Sequence, residues 1–232
     1  MPTRKAGEIV LQAVDRVVES RWEHATFVAT STNGSVEERV AQLRRTYVRE
    51  MTTLGAASGA AAAVPGTGAL ALVGTTALEM GWFTTRTSSM ILAVAAVHGH
   101  TTASVEERRA WVLSVLAFGD AAAKGFARVA GEGGKGLGTR ATAGIPTELL
   151  RAVNRKLGRT IITKYGTKRG AVALGRALPF GIGAAIGGGA NYALADTIAR
   201  QADQFFRQLP PRLEAVVALP PDAGSDEPSR RT

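Results

Sequence analysis

"ALPFGIGAAIGGGANYALAD", residues 177–196, is the stretch whose reading decides the fold. From Ala177 to Ala195 it runs nineteen residues without a charge, through one proline and five glycines, in a chain of formal net charge +9. An earlier stretch repeats its order: between Glu50 and Glu79 lie 28 uncharged residues around "VPGTG", residues 64–68. In each, an Ala/Gly-rich arm meets an aliphatic residue, a proline and a glycine break, then a second such arm and an acid. Both read as one helix-break-helix hairpin, with Pro65, Gly66 and Gly68 forming the first break and Pro179, Gly181 and Gly183 the second.

Proline removes a helical donor and clashes with the preceding turn, so Pro65 divides its stretch into arms of about 13 residues. At 1.5 Å per residue an arm reaches roughly 20 Å, short of a ~30 Å hydrocarbon core. A hairpin that dips into a leaflet and returns, or one packed into a soluble core, fits better than a crossing. Small residues four apart, Gly55 with Gly59 and Gly183 with Gly187, suit close helix pairing. Asn191 supplies one polar contact in the second apolar arm.

The flanking segments are helical too. Val10, Val14, Val17, Val18 and Trp22 gather on one face of a helix over 6–22, opposite Glu8, Gln12, Asp15 and Glu19. "SVEER" occurs at 35–39 and 104–108, each time placing Glu three residues after Ser before an apolar-periodic run, which is a capping box. Long helices therefore start near Ser35 and Ser104. Another runs from Ala69 to about Val97, where Gly99 supplies a left-handed cap. No segment alternates with period two, so the fold class is all-α, a helical bundle built around two Pro/Gly-broken hairpins without a sheet. Residues 1–34 read as an amphipathic helix and loop. Residues 35–209 form one helical domain with a flexible Gly-rich loop at 131–144, and 210–232 a disordered Pro-rich tail.

Charge is distributed unevenly. Twelve of the 28 basic residues fall between Ala121 and Arg176, opposed only by Glu132 and Glu148, so this quarter carries +10 and calls for an anionic partner. Within it, "PTELLRAVNRKLGRTIITKYG" sets Leu150, Val153, Leu157 and Ile161 on one helical face and Arg151, Arg155 and Arg159 on the other, with Lys156 beside them. Such a helix lies well in a membrane interface, its apolar face toward acyl chains and its cations on anionic headgroups. A bundle helix with a solvated basic face has the same pattern.

Several apparent motifs dissolve on inspection. "GIGAAIG", residues 181–187, lacks the preceding strand of a dinucleotide fingerprint, and Lys135 in "GEGGKGLGT" is followed by glycine where a phosphate loop needs Ser or Thr. His98 and His100 suit a polar helix terminus better than a metal, and Glu79, Asp120 and Asp196 suit helix ends or loops. There is no cysteine. No nucleophile motif or carboxylate pair is in place, so no enzyme, cofactor or metal is expected. A pI near 10.6 raises nucleic-acid binding, but the basic quarter has only Phe126 and Tyr165 as aromatics and no recognition motif.

Three segments taken in order, "AAAAVPGTGALALVGTTALEMGWFTTRTSSMILAVAAVHGH", "SVEERRAWVLSVLAFGDA" and "TIITKYGTKRGAVALGRALPFGIGAAIGGGANYALADTIARQADQFF", resemble the bacterial EcsC family over roughly residues 45–208. The resemblance implies a helical, membrane-associated protein with no catalytic residues to carry over, in a family named for an operon that also encodes an ABC transporter. The matching positions are Pro65, Gly66, Gly68, Pro179, Gly181, Gly183, Gly187 and Asn191. The expected role is structural, adaptor or regulatory, at the cytoplasmic face of the cell membrane, with a membrane protein such as a transporter as a partner. The alternatives are a soluble helical adaptor, which would enclose Trp82 and Phe83 in its core, and a nucleic-acid binder.

Overall fold

The computed structural model describes residues 2–62, 69–133, 147–166 and 184–209, and among these residues the chain is helical with no strand. Helix α1 spans Pro2–Ser20, α2 Trp22–Ser31, α3 Val36–Ala62, α4 Ala69–Val97, α5 Val105–Phe118, α6 Ala122–Gly133, α7 Thr147–Gly166 and α8 Ala184–Gln208. A short 3-10 turn, Gly119–Ala121, joins α5 to α6. The all-α expectation holds.

Local chemistry sets the helix ends. At the start of α3, the Ser35 hydroxyl accepts the Glu38 N–H at 3.2 Å while the Glu38 carboxylate accepts the Ser35 N–H at 2.8 Å. Ser104 and Glu107 repeat this at α5, at 3.3 and 2.8 Å, so both capping boxes close as the sequence indicates. Gly99, at φ +86°, turns the chain after α4 in a conformation only glycine adopts cheaply.

Two expectations are corrected. The helix expected over 6–22 is broken at Arg21, whose backbone (φ −111°, ψ 4°) redirects the chain into α2. The loop expected over 131–144 begins later, since 131–133 complete α6. The rest of that loop, the tail at 210–232, and Pro65, Gly66, Gly68, Pro179, Gly181 and Gly183 lie outside the described residues.

The last two turns of α4, Met90–Val97, are buried on every side, as their all-apolar sequence requires. Against it α1 lays down Val10, Val14, Val17 and Val18, while α7, packed on α1, α5 and α6, buries Leu150, Val153, Leu157 and Ile161. Each such burial is favourable by roughly 1.5–3 kcal/mol. Past the end of α4, Trp111 meets Phe206 edge to face at 5.5 Å, and Phe206 meets Phe205 at 4.9 Å.

Pairings fix the helix directions. Tyr47 with Thr87 (2.7 Å) and Glu50 with Arg86 make α4 antiparallel to α3. Glu37 with Arg207, Arg44 with Asp196 and Met51 with Asn191 make α8 antiparallel to α3 as well, in the most extensive helix pairing of the fold. The last turns of α3 and the first turns of α4 and α8 therefore collect at one pole. α7 runs antiparallel to α1, with Ile162 over Gly7 and Leu11 over Gly158, which leaves its basic flank along the side of the bundle.

Candidate functional site

The pole is assembled from the two uncharged stretches. Asn191 of α8 is 4% exposed and its Nδ2 donates to the Met51 carbonyl of α3 at 3.2 Å. A Cβ at Gly55 would lie 1.9 Å from that Nδ2, so glycine is what lets the helices close at this point. The sequence marked both residues for this kind of contact. Gly187 lies two turns or less from the start of α8, on the same arm.

Charges stop at a definite level along α3 and α8, and on α4 only Glu79 lies beyond it. Glu50 and Arg86 pair across α3 and α4, and one turn further toward the pole come Leu54 on α3 and Trp82 on α4. Tyr192 of α8 lies beside Thr52 and Thr53, at the same level. Trp82 is 40% exposed and Tyr192 52%. Beyond them α3 has no charged residue from 51 to 62, α8 none from 184 to 195, and α4 only Glu79 between 69 and 81. The soluble-adaptor expectation of an enclosed Trp82 is not met, while Phe83 does pack against the core.

Below this level, α3 and α8 border a groove of about 480 Å³ lined by Arg44, Arg45, Arg49, Tyr192 and Asp196. Asp196 is inside α8, not at a helix end as expected. One of its oxygens takes Arg44 at 2.5 Å and the other Arg200 at 3.2 Å, so its charge is fully engaged. Arg45 and Arg49 are exposed, and among the described residues neither forms an ion pair. Sequence reasoning missed these arginines because it followed the densest charge. The available signal was two cations four residues apart, with no acid three or four residues from either, just ahead of an uncharged arm. A second cleft of about 310 Å³ lies between α2, α3 and α4, with Tyr47, Glu50 and Arg86 in its wall.

The basic helix is placed differently from its sequence reading. Leu150, Val153, Leu157 and Ile161 are at most 1% exposed and pack on protein, so the expectation that they rest on acyl chains is corrected. The opposite flank is open: Arg155, Lys156 and Arg159 are exposed, and Arg151 pairs with Glu148 at 2.7 Å and Glu106 at 3.7 Å. At its end, Lys164 donates to the Leu116 and Ala117 carbonyls at 3.0 and 2.9 Å, placing a cation on the C-terminus of α5. Burial pushes the Lys164 ammonium below its usual range. Arg108 treats α1 similarly, donating to the Val18 carbonyl at 2.8 Å beneath the Trp22 ring.

The histidines separate in role. His98, just past α4, pairs with Asp203 at 2.9 Å, whereas His100 is buried against Trp111 and Phe206. Asp120 occupies the 3-10 turn and accepts from Gln201 at 3.1 Å. Among the described residues no three His, Asp or Glu side chains gather as metal ligands would.

Among the described residues one run, Val105–Val129, is long and apolar enough to cross a membrane by length and composition. Half of its most apolar 18-residue stretch is buried, the run carries the buried Glu107 and Arg108, and it is interrupted at Gly119, where φ is +56°.

No curated protein matches this chain, and no solved structure does. The profile of the EcsC protein family matches residues 1–208, which takes in α1 and α2 ahead of the resemblance seen from residue 45. With some nine-tenths of its length so matched, from the N-terminal helices through the last aromatics of α8, the chain belongs to the EcsC protein family.

Proposed function

We propose that this protein is a non-enzymatic, monotopic membrane protein that docks its α3/α4/α8 pole into the cytoplasmic leaflet and serves there as an adaptor or regulator of a membrane partner such as a transporter. The observation that carries this reading is the level at which charge ends. Trp82 and Tyr192 are solvent-exposed side by side with that level, where membrane proteins place amphipathic aromatics, and the guanidiniums of Arg45, Arg49 and Arg86 sit just below. Exposed aromatics cost a water-soluble bundle apolar hydration; at a headgroup boundary they are accommodated. The arms are short enough to enter one leaflet and return.

The basic flank of α7 runs along the bundle instead of across its pole. In this orientation Arg155 and Arg159 add attraction to an anionic surface alongside the arginines of α3, with Arg159 on the turn of α7 that packs on Gly7 and Leu11 of α1.

The test is flotation of detergent-free protein with neutral and anionic vesicles at low and high salt, combined with tryptophan quenching by brominated phosphatidylcholine. Flotation on neutral vesicles that survives high salt, with quenching that disappears in Trp82→Phe, is the expected result. Protein that stays at the bottom of every gradient with unquenched emission refutes the proposal and leaves a soluble adaptor.

A further inference from the structure

We infer that the groove between α3 and α8 is a binding site for the phosphate headgroup of an anionic phospholipid, held by Arg45 and Arg49 with Arg44 beside them. The inference rests on the membrane reading above and names its ligand.

The donor set suits a phosphate. Three guanidiniums line the groove against one carboxylate, and that carboxylate is already saturated by Arg44 and Arg200. Guanidinium presents a planar fork of N–H donors that matches two phosphate oxygens at once. The neighbouring hydroxyls leave the anion to the guanidiniums, because Thr52 donates to the Val48 carbonyl at 2.7 Å and Thr53 to the Arg49 carbonyl at 2.9 Å. Like charges four apart on a helix repel, and here no acid lies three or four residues from either on α3, while the adjacent Glu50 is paired with Arg86. A bound dianion or diester would.

The groove is also polarised along its length. Its cations lie toward the body of the protein, and Thr52, Thr53 and Tyr192 lead from them to the uncharged arms. A free anion would use only the first part. A phospholipid uses both, with its phosphate on the arginines, its glycerol backbone beside Tyr192 and its acyl chains along the arms into the leaflet. The volume of about 480 Å³ is ample for a headgroup.

The experiment compares vesicles of phosphatidylcholine alone with vesicles containing phosphatidylglycerol, at one fixed salt concentration, for the wild type and two double variants. Arg45→Gln with Arg49→Gln is expected to lose about 30-fold of the preference for anionic vesicles, about fivefold for each cation taken from the surface. Arg155→Gln with Arg159→Gln removes equal charge from α7 and is expected to lose less than about a third as much. Arg45→Lys with Arg49→Lys keeps the charge without the fork and should fall between. Equal losses in the two glutamine pairs, or none in the α3 pair, overturn the site.

A second arm needs no membrane. Dihexanoyl phosphatidylglycerol below its micellar concentration should shift the Arg45 and Arg49 Nε–H resonances at concentrations where inorganic phosphate does not. Equal shifts with inorganic phosphate overturn the lipid assignment. If short-chain lipid binds while the wild type floats on no vesicle, the groove stands and the membrane reading falls; if neither occurs, both fall.

Discussion

Replacing Gly55 with alanine tests the contact that joins the two uncharged stretches. In an unconstrained helix this change is favourable by about 1 kcal/mol, because alanine restricts the unfolded chain and suits the helix. Here the added Cβ would sit 1.9 Å from Asn191 Nδ2 and 2.7 Å from its Cγ, far inside van der Waals contact. The amide must swing away from the Met51 carbonyl, and there is little room for it to do so at 4% exposure. A buried donor left unsatisfied costs about 1–3 kcal/mol, and overpacking a further ~1–3 kcal/mol. Against the propensity gain, Gly55→Ala should destabilise by about 3 kcal/mol, lowering Tm by roughly 6–12 °C in a chain of this size. Adding Asn191→Ala removes the amide and should recover about 2 kcal/mol, since only a 3.0 Å approach between the two Cβ atoms remains to be relaxed. Urea unfolding followed by circular dichroism gives all four corners of the cycle. A Gly55→Ala protein more stable than wild type, with effects that add, would refute the close approach of α3 and α8.

Other perturbations probe the remaining joints of the fold. Ser104→Ala removes the reciprocal cap of α5 and should cost about 1 kcal/mol in urea unfolding, with the exposed box at Ser35 costing less. Lys164→Met keeps the apolar stem but strips the cation from the Leu116 and Ala117 carbonyls; a loss of about 1–2 kcal/mol is expected, and none would mean that the capping is idle. Burial by itself would raise the Asp203 carboxyl, but hydrogen bonds from His98 and Arg207 outweigh it and hold the group below its ordinary 3.8. A carboxylate depressed in the folded state contributes stability that is present above the unfolded value and lost as pH falls through the folded one. Asp203→Asn should therefore flatten the decline of stability below about pH 4, and an unchanged acid profile would remove Asp203 from that role.

Much of the helical layout was legible because its signals are local. A serine with a glutamate three residues on dictates an N-terminus through its own side chains, and both occurrences of "SVEER" behave so. Gly99 ends α4 for an equally local reason, and the apolar spacing of α1 and α7 named their buried faces residue by residue. What was illegible depends on partners far away in the chain. Nothing near Arg21 announces a break, because the new direction of α2 is set by its packing against α4. Asp196 looks like a helix-end acid until Arg44, 152 positions earlier, is found beside it. The candidate groove suffered in the same way: Arg45 and Arg49 are four residues apart in sequence, but Tyr192 joins them only through the antiparallel pairing of α3 with α8.

The same distinction explains why apolar composition alone points to a helix other than those of the proposed membrane contact. Val105–Val129 has the hydropathy of a crossing because the apolar side chains of α5 pack on α1, α4, α7 and α8, and its first turn buries Glu107 and Arg108 with hydrogen bonds to Ser104 and Val18. A lipid-facing segment could hold neither residue at such low cost. The arms of α3 and α8 are poorer in large apolar side chains, being built largely of alanine and glycine, so hydropathy ranks them lower. They differ in where charge ends and in what is left exposed there. A core needs no boundary, whereas a membrane imposes one, at a common depth on every helix that meets it. In this protein Arg86, Trp82, Tyr192 and the arginines of α3 come from three helices and from positions up to about 150 residues apart, yet fall within about two turns of a single level. Core packing gives no reason for that coincidence in depth, so Trp82 and Tyr192, not the most hydrophobic helix, are where a lipid contact should be sought first.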